Sequence, residues 1–254
     1  MQERLAKTPP PDLLTEPAIS HLPPAVQKYL RCTGAIGKPV IRNFRAVFDG
    51  EMKMSEKAGW IKIHAVQYNF YDQPGRYFHI TSKIAGLPFT GLHIYENAHA
   101  TMQIKLAGLI KVADARGPDM DKGETVTVLN DMCFMAPSTL INPGISWETR
   151  GYTRVRAKYL NDGIGVSADL EFNENGELVN FVSEDRSRSL DGKTYEQLPW
   201  STPIGDYREV EERIIPHYGE AVWHYPDREF PYARFRLKEI KYNVNEFLDK
   251  SFYT

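Results

Sequence analysis

The chain has 254 residues, 42% of them hydrophobic and 25% charged, with 31 basic against 33 acidic residues and a formal net charge of −2. Those proportions exclude disordered, coiled-coil and collagen-like chains. The balance also lacks the basic excess of a nucleic-acid binder, so no nucleic-acid partner is expected. A supply of 14 Tyr, 12 Phe and 4 Trp favours strands, whose pleated surface suits aromatic side chains.

Residues 1–20 are proline-rich and polar and read as a loosely held N-terminal arm. They lack the apolar run of roughly 7–15 residues that a signal peptide needs, so a cytoplasmic location is expected unless a leader has been removed. No stretch approaches the roughly 18 apolar residues of a transmembrane segment. Residues 21–254 read as a single antiparallel β-rich domain, because no long flexible linker divides them.

The domain opens on a short helix. Pro23 and Pro24 suit a first helical turn, and Val26, Tyr29 and Leu30 form one apolar face. From Ile41 the period becomes two. Phe44, Ala46, Phe48, Met52 and Met54 alternate with Asn43, Arg45, Asp49, Glu51 and Lys53, which predicts a half-buried strand. In the next strand Ile61, Ile63 and Ala65 give way to Val66, Tyr68 and Phe70, and this parity flip predicts a bulge. Runs at 76–84, 89–96, 99–106 and 109–115, punctuated by glycine and proline, predict a meander rather than βαβ units.

One helix interrupts: Val126, Leu129, Met132 and Cys133 recur at helical spacing, and Pro137 ends the run. Strands then resume at Trp147, at 152–159 and at 166–172. Asn175-Gly176 turns the last of these into 178–186 as a hairpin. Further strands are expected at 204–210, 219–225 and 234–242. The fold class is mainly β (α+β), a large curved antiparallel sheet or half-barrel packed on one or two helices.

Five segments in order, HLPPAVQKYL, GLIKVADARGPDMDKGE, NPGISWE, VSADLEFNENGELVNF and PWSTPIGDYREVEERIIPHYGEAVW, resemble an uncharacterised bacterial family of unknown function. The resemblance covers about residues 21–242. The second half is also similar in pattern to lipoprotein-carrier folds, which implies a curved sheet wrapping a helix around an apolar cavity. Neither resemblance carries a catalytic residue to this chain.

The G-x-S-x-G, G-x-x-x-x-G-K-[ST] and G-x-G-x-x-G patterns are absent, and so are H-x-H and C-x-x-C. No catalytic residue, cofactor or metal is therefore assigned. Cys32 and Cys133 read as free thiols. His64, His79, His93 and His99 fall on four successive strands, where facing pairs or opposite faces are both open. Arg234, Arg236 and Lys238 share parity and read as the wet side of an outer strand. The polar candidates are Asp206 and Arg208, which share a strand face, and His217, which follows on the next strand. The aromatic candidates for a pocket are Trp147, Phe181, Trp200 and Trp223, each of which also suits plain core.

Three readings follow. The first is a non-enzymatic carrier of a lipid-like, hydrophobic or amphipathic small molecule in a cavity of roughly 300 Å³ or more beneath the sheet. The second is an enzyme using Asp206, Arg208 and His217 or the early histidines in an aromatic pocket, with at least two such groups meeting within about 3.5 Å at its floor. The third is a scaffold that binds a protein partner through a sheet edge.

Overall fold

The alternating pattern commits the backbone to antiparallel pairing, and every strand pair described is antiparallel. The computed structural model describes residues 1–6, 11–84, 86–108, 110–189 and 194–249, with backbone alone at 111–113. Three short helices come first: α1 (Gln2–Ala6), α2 (Glu16–Ile19) and α3 (Pro24–Cys32). Six strands follow: β1 (Asn43–Met52), β2 (Ile61–Phe70), β3 (Gly75–Ile84), β4 (Leu87–Glu96), β5 (His99–Leu106) and β6 (Ile110–Arg116). The long helix α4 (Pro118–Phe134) and a 3₁₀ turn (Pro137–Ile141) lead into β7 (Ile145–Thr149), β8 (Arg154–Asn161), β9 (Ile164–Phe172) and β10 (Leu178–Ser183). The remaining strands are β11 (Ser187–Arg188), β12 (Glu196–Gln197), β13 (Trp200–Ser201), β14 (Ile204–Val210), β15 (Arg213–His224) and β16 (Glu229–Tyr242).

The main sheet runs β6-β5-β4-β3-β2-β1-β16-β15-β13-β10-β9-β8-β7, with β14 added beside β15 and β11–β12 forming a separate ribbon. Strand β16 joins the two meanders by pairing with both β1 and β15. Helix α4 leaves one edge strand, β6, and leads to the opposite edge strand, β7. Along the way it packs on β5, β6, β9 and β10. The sheet is thus a curved, unclosed wrapper with α4 as its filling.

Tight hairpins set the register. Asn97-Ala98, Asp162-Gly163 and Glu211-Glu212 all have positive φ, the conformation that two-residue hairpins of matching twist require. The Asn175-Gly176 hairpin is present as a longer loop. In it the Asn173 side chain accepts from the amides of Asn175 and Glu177, and Gly176 takes φ 92°.

The expected bulge in β2 is absent. Its register with β1 runs unbroken from Asn43↔Phe70 to Met52↔Ile61. The apolar parity flips because the outer face of the sheet is also covered here. Leu5, Val47, Val66, Tyr68, Phe70 and Tyr77 form a second buried cluster, with the Phe247 ring 5.2 Å from that of Tyr68. The bulge sits on the other side of β1, between Val47 and Phe48 against β16.

The N-terminal segment is tied down at its apolar residues: Leu5, Leu14 and Ile19 are fully buried. Residues 7–10 of the expected arm lie outside the described residues. On α3, Val26, Tyr29 and Leu30 point into the core. The Tyr29 hydroxyl donates to the Cys133 carbonyl at 2.8 Å. Cys133 is buried, Cys32 is half-buried, and neither is in a disulfide.

Candidate ligand cavity beneath the sheet

Helix α4 carries two stripes. Val126, Leu129, Met132 and Cys133 face the apolar core as expected, whereas Glu124, Thr127, Asn130 and Asp131 occupy the opposite side. Both are buried, since no residue from 123 to 133 is exposed. A buried polar stripe needs partners. Those partners come from the inner face of β2 and β3, where Gln67, Asn69 and Arg76 project toward α4.

Arg76 is the hub. Its Nε donates to Asp131 Oδ2 at 2.9 Å, its Nη1 to Glu124 Oε2 at 3.1 Å and its Nη2 to Gln67 Oε1 at 3.4 Å. Asp131 Oδ2 also accepts from Gln67 Nε2 at 2.8 Å and from Asn69 Nδ2 at 2.9 Å. Asn130 Nδ2 donates to Thr202 Oγ1 at 2.6 Å. The guanidinium of Arg76 lies 4.5 Å over the Phe78 ring.

The two carboxyls behave differently. Burial alone raises the Glu124 pKa, but Arg76, His93 and Arg186 reverse that and hold it well below the usual carboxylate range. Burial pushes the Asp131 pKa up, and the opposing pull of Arg76 and Asn69 does not cancel it. Burial lowers the Arg76 pKa, and its two carboxylates more than compensate.

Beside this network lies a cavity of about 160 Å³. Phe48, Phe78, Phe134, Met135, Phe235 and Leu237 supply apolar wall, while Arg76, His93, Glu124 and Arg186 supply charge. Glu124, which lines the cavity, has two longer ion-pair contacts at Oε1. His93 Nδ1 stands 3.7 Å away and Arg186 Nη2 3.9 Å away, both beyond hydrogen-bond reach. The Arg186 guanidinium rests 4.3 Å over the Trp200 ring. The cavity is smaller than the roughly 300 Å³ expected of a carrier pocket, because the aromatic rings of β1, β3 and β16 and the side chains of α4 fill the interior. A larger hollow of about 520 Å³ lies between the start of α3 and β8–β9, lined by Pro23, Lys28, Tyr152, Val155 and Phe172 among others. The one charged side chain lining it, Lys28, already donates to the Glu174 carbonyl at 2.5 Å.

The residues singled out from sequence scatter. Trp200 and His217 line the cavity. His217 Nδ1 lies 3.1 Å from the Ile215 carbonyl. Phe181 is fully buried behind the cavity wall, edge-on to Trp200 at 6.2 Å. Trp223 stacks on Tyr232 at 6.0 Å without lining the cavity. Trp147 packs half-buried on the core from β7, and its Nε1 finds no hydrogen-bond partner. Asp206 and Arg208 do share a face, bonded at 2.9 and 2.7 Å, but the face is exposed and away from the cavity. Neither side chain is therefore at a pocket floor, the placement the enzyme reading requires of them.

Of the four strand histidines, only His93 lines the cavity. His64 pairs with Asp49 at 2.9 Å and His99 with Asp121 at 3.3 Å, on other parts of the surface. Burial lowers the His79 pKa. Among the described residues no group of three or more His, Cys, Asp or Glu could hold a metal, and no helix is long and apolar enough to cross a membrane. Arg234, Arg236 and Lys238 do share one face, toward Glu220, Tyr218 and Asp49, but β16 is an interior strand paired on both sides and not the outer strand expected.

The curved sheet filled by one helix defines the fold, and the family follows. The family of unknown function DUF6544 matches residues 12–235, and the chain belongs to it. Similar solved structures include a LolA-superfamily protein from Nitrosomonas europaea, 8% identical, covering 90% of this chain and 97% of that one with a TM-score of 0.49. Another is a domain ascribed to outer membrane lipoprotein sorting from Vibrio parahaemolyticus, 7% identical, covering 82% and 88% with a TM-score of 0.48. A third is a DUF1329 family protein from Desulfovibrio piger, 10% identical, covering 91% and 95% with a TM-score of 0.43. No curated protein matches the chain in sequence.

Proposed function

We propose that the protein is a non-enzymatic binding protein for a small amphipathic molecule, lipid-like in joining an apolar body to a polar end, held between α4 and the sheet. One observation carries this reading. The cavity sets an apolar wall against a charged floor, and on that floor Glu124 Oε1, His93 Nδ1 and Arg186 Nη2 stand just too far apart to satisfy one another. A polar group entering there gains charge-assisted hydrogen bonds. Its apolar part lies along Phe78, Phe235 and Leu237, where it leaves water.

Trp200 lines the cavity and reports occupancy through its fluorescence. Titration with octanol, octanoate and octylamine separates a neutral, an anionic and a cationic head on the same chain. At least one should shift tryptophan emission saturably, and both Trp200→Phe, which leaves the other three tryptophans in place, and Ala221→Phe, which fills the cavity, should abolish the shift. Silence from all three at millimolar concentration, with the protein folded, counts against the reading.

A further inference from the structure

Strands β3, β4, β5 and β6 are consecutive in the sheet, so the β3–β4 and β5–β6 turns stand side by side at one end of it. The Ala107 amide donates to the Pro88 carbonyl at 2.7 Å and links the two. Their sequences run in parallel: Lys83-Ile84-Ala85-Gly86-Leu87 and Lys105-Leu106-Ala107-Gly108-Leu109. Gly86 and Gly108 take the left-handed conformation, with φ of 83° and 71°.

Turns of soluble hairpins are ordinarily polar. These tips instead expose aliphatic side chains, Leu87 at 49% and Ile110 at 61%. The β1–β2 connection leaves from the same end and adds Met54 at 39%. Lys83 and Lys105 flank the apolar tips and are exposed. No Asp or Glu occurs in residues 73–95 or 97–113, although the whole chain is net negative, and Glu56 on the β1–β2 connection is already paired with Arg188 and Arg228. The rim is therefore locally basic around an apolar edge. That combination matches the interface of an anionic bilayer, where aliphatic groups enter below the headgroups and lysines pair with them.

We propose that the rim formed by the β3–β4 and β5–β6 turns docks the protein on an anionic lipid surface. This proposal is independent of what the cavity holds. The test is co-sedimentation of the full chain with vesicles of phosphatidylcholine, alone or with about 30% phosphatidylglycerol. The protein should pellet with the anionic vesicles and stay in solution with the neutral ones. Salt at about 1 M, which shortens the screening length to about 3 Å, should release it. Lys83→Gln with Lys105→Gln should weaken binding roughly 30-fold, and Leu87→Ser with Ile110→Ser should remove it. These surface changes should leave the thermal unfolding midpoint in place, and the cavity-filled Ala221→Phe protein should still bind vesicles. Failure of the unaltered chain to pellet, or binding that neither pair of changes reduces, overturns the proposal. So does a dimer in solution that the Leu87 and Ile110 changes dissolve, because that gives the rim to a second copy.

Discussion

Arg76 on β3 and Asp131 on α4 meet at 2.9 Å across the interior, and the same guanidinium holds Glu124 at 3.1 Å. One guanidinium thus bridges two carboxylates that sit seven residues apart on one helical face. It fixes how α4 seats in the sheet and places the charged floor beside the cavity.

Removing the hub takes the nearest cation from two buried acids, leaving Asp131 with the Gln67 and Asn69 amides and Glu124 with the more distant His93 and Arg186. Arg76→Met should therefore destabilise the fold by about 3–5 kcal/mol, read from the urea unfolding midpoint. Arg76→Lys should also destabilise, because an ammonium cannot fork toward both acids. An unchanged midpoint in either variant contradicts the role given to Arg76.

The acids predict opposite responses to pH. The folded pKa of Glu124 lies below its ordinary value of 4.5. Its ionised form therefore stabilises the fold fully above about pH 4.5, and that contribution is lost as pH falls through the folded pKa. Asp131 lies above its ordinary value of 3.8, so its ionisation costs stability as pH rises from 3.8 through the folded pKa. The stability difference between the unaltered protein and Glu124→Gln should accordingly shrink between about pH 5 and pH 2. A difference that stays constant across that range excludes the assignment.

Phe181 fills core instead of lining the cavity. Phe181→Ala should cost about 3–5 kcal/mol in unfolding free energy. Residual binding of the titrated amphiphile should persist in whatever fraction remains folded.

Asp206→Asn and Arg208→Gln should leave both the unfolding midpoint and amphiphile binding unchanged, since the pair they break is exposed to water. Loss of binding in either variant would return these residues to the site.

The strand pattern was readable wherever one face is oily and the other wet, as in β1 and β9, and the apolar stripe of α4 was readable for the same reason. The polar floor was not. Glu124, Thr127 and Asp131 oppose an apolar stripe, which in sequence is the mark of a solvent-facing side. Gln67 and Asn69 alternate with Val66, Tyr68 and Phe70, which marks them as wet too. Two faces that each read as solvated are pressed together in the fold, and their charges match only across separations of 48 and 55 residues. The signal available was complementarity: an acid pair at helical spacing, and a lone arginine on β3 that pairs with β2, a strand carrying amides and aromatics. The turn at Glu211-Glu212 was hidden as well, because neither residue favours the positive φ it adopts.

Native mass spectrometry of the full chain purified from its own host tests the cavity most directly. The account predicts a bound small molecule on the unaltered protein that is absent from Ala221→Phe prepared in the same way. A bare mass for both proteins, or an adduct that persists when the cavity is filled, would contradict it.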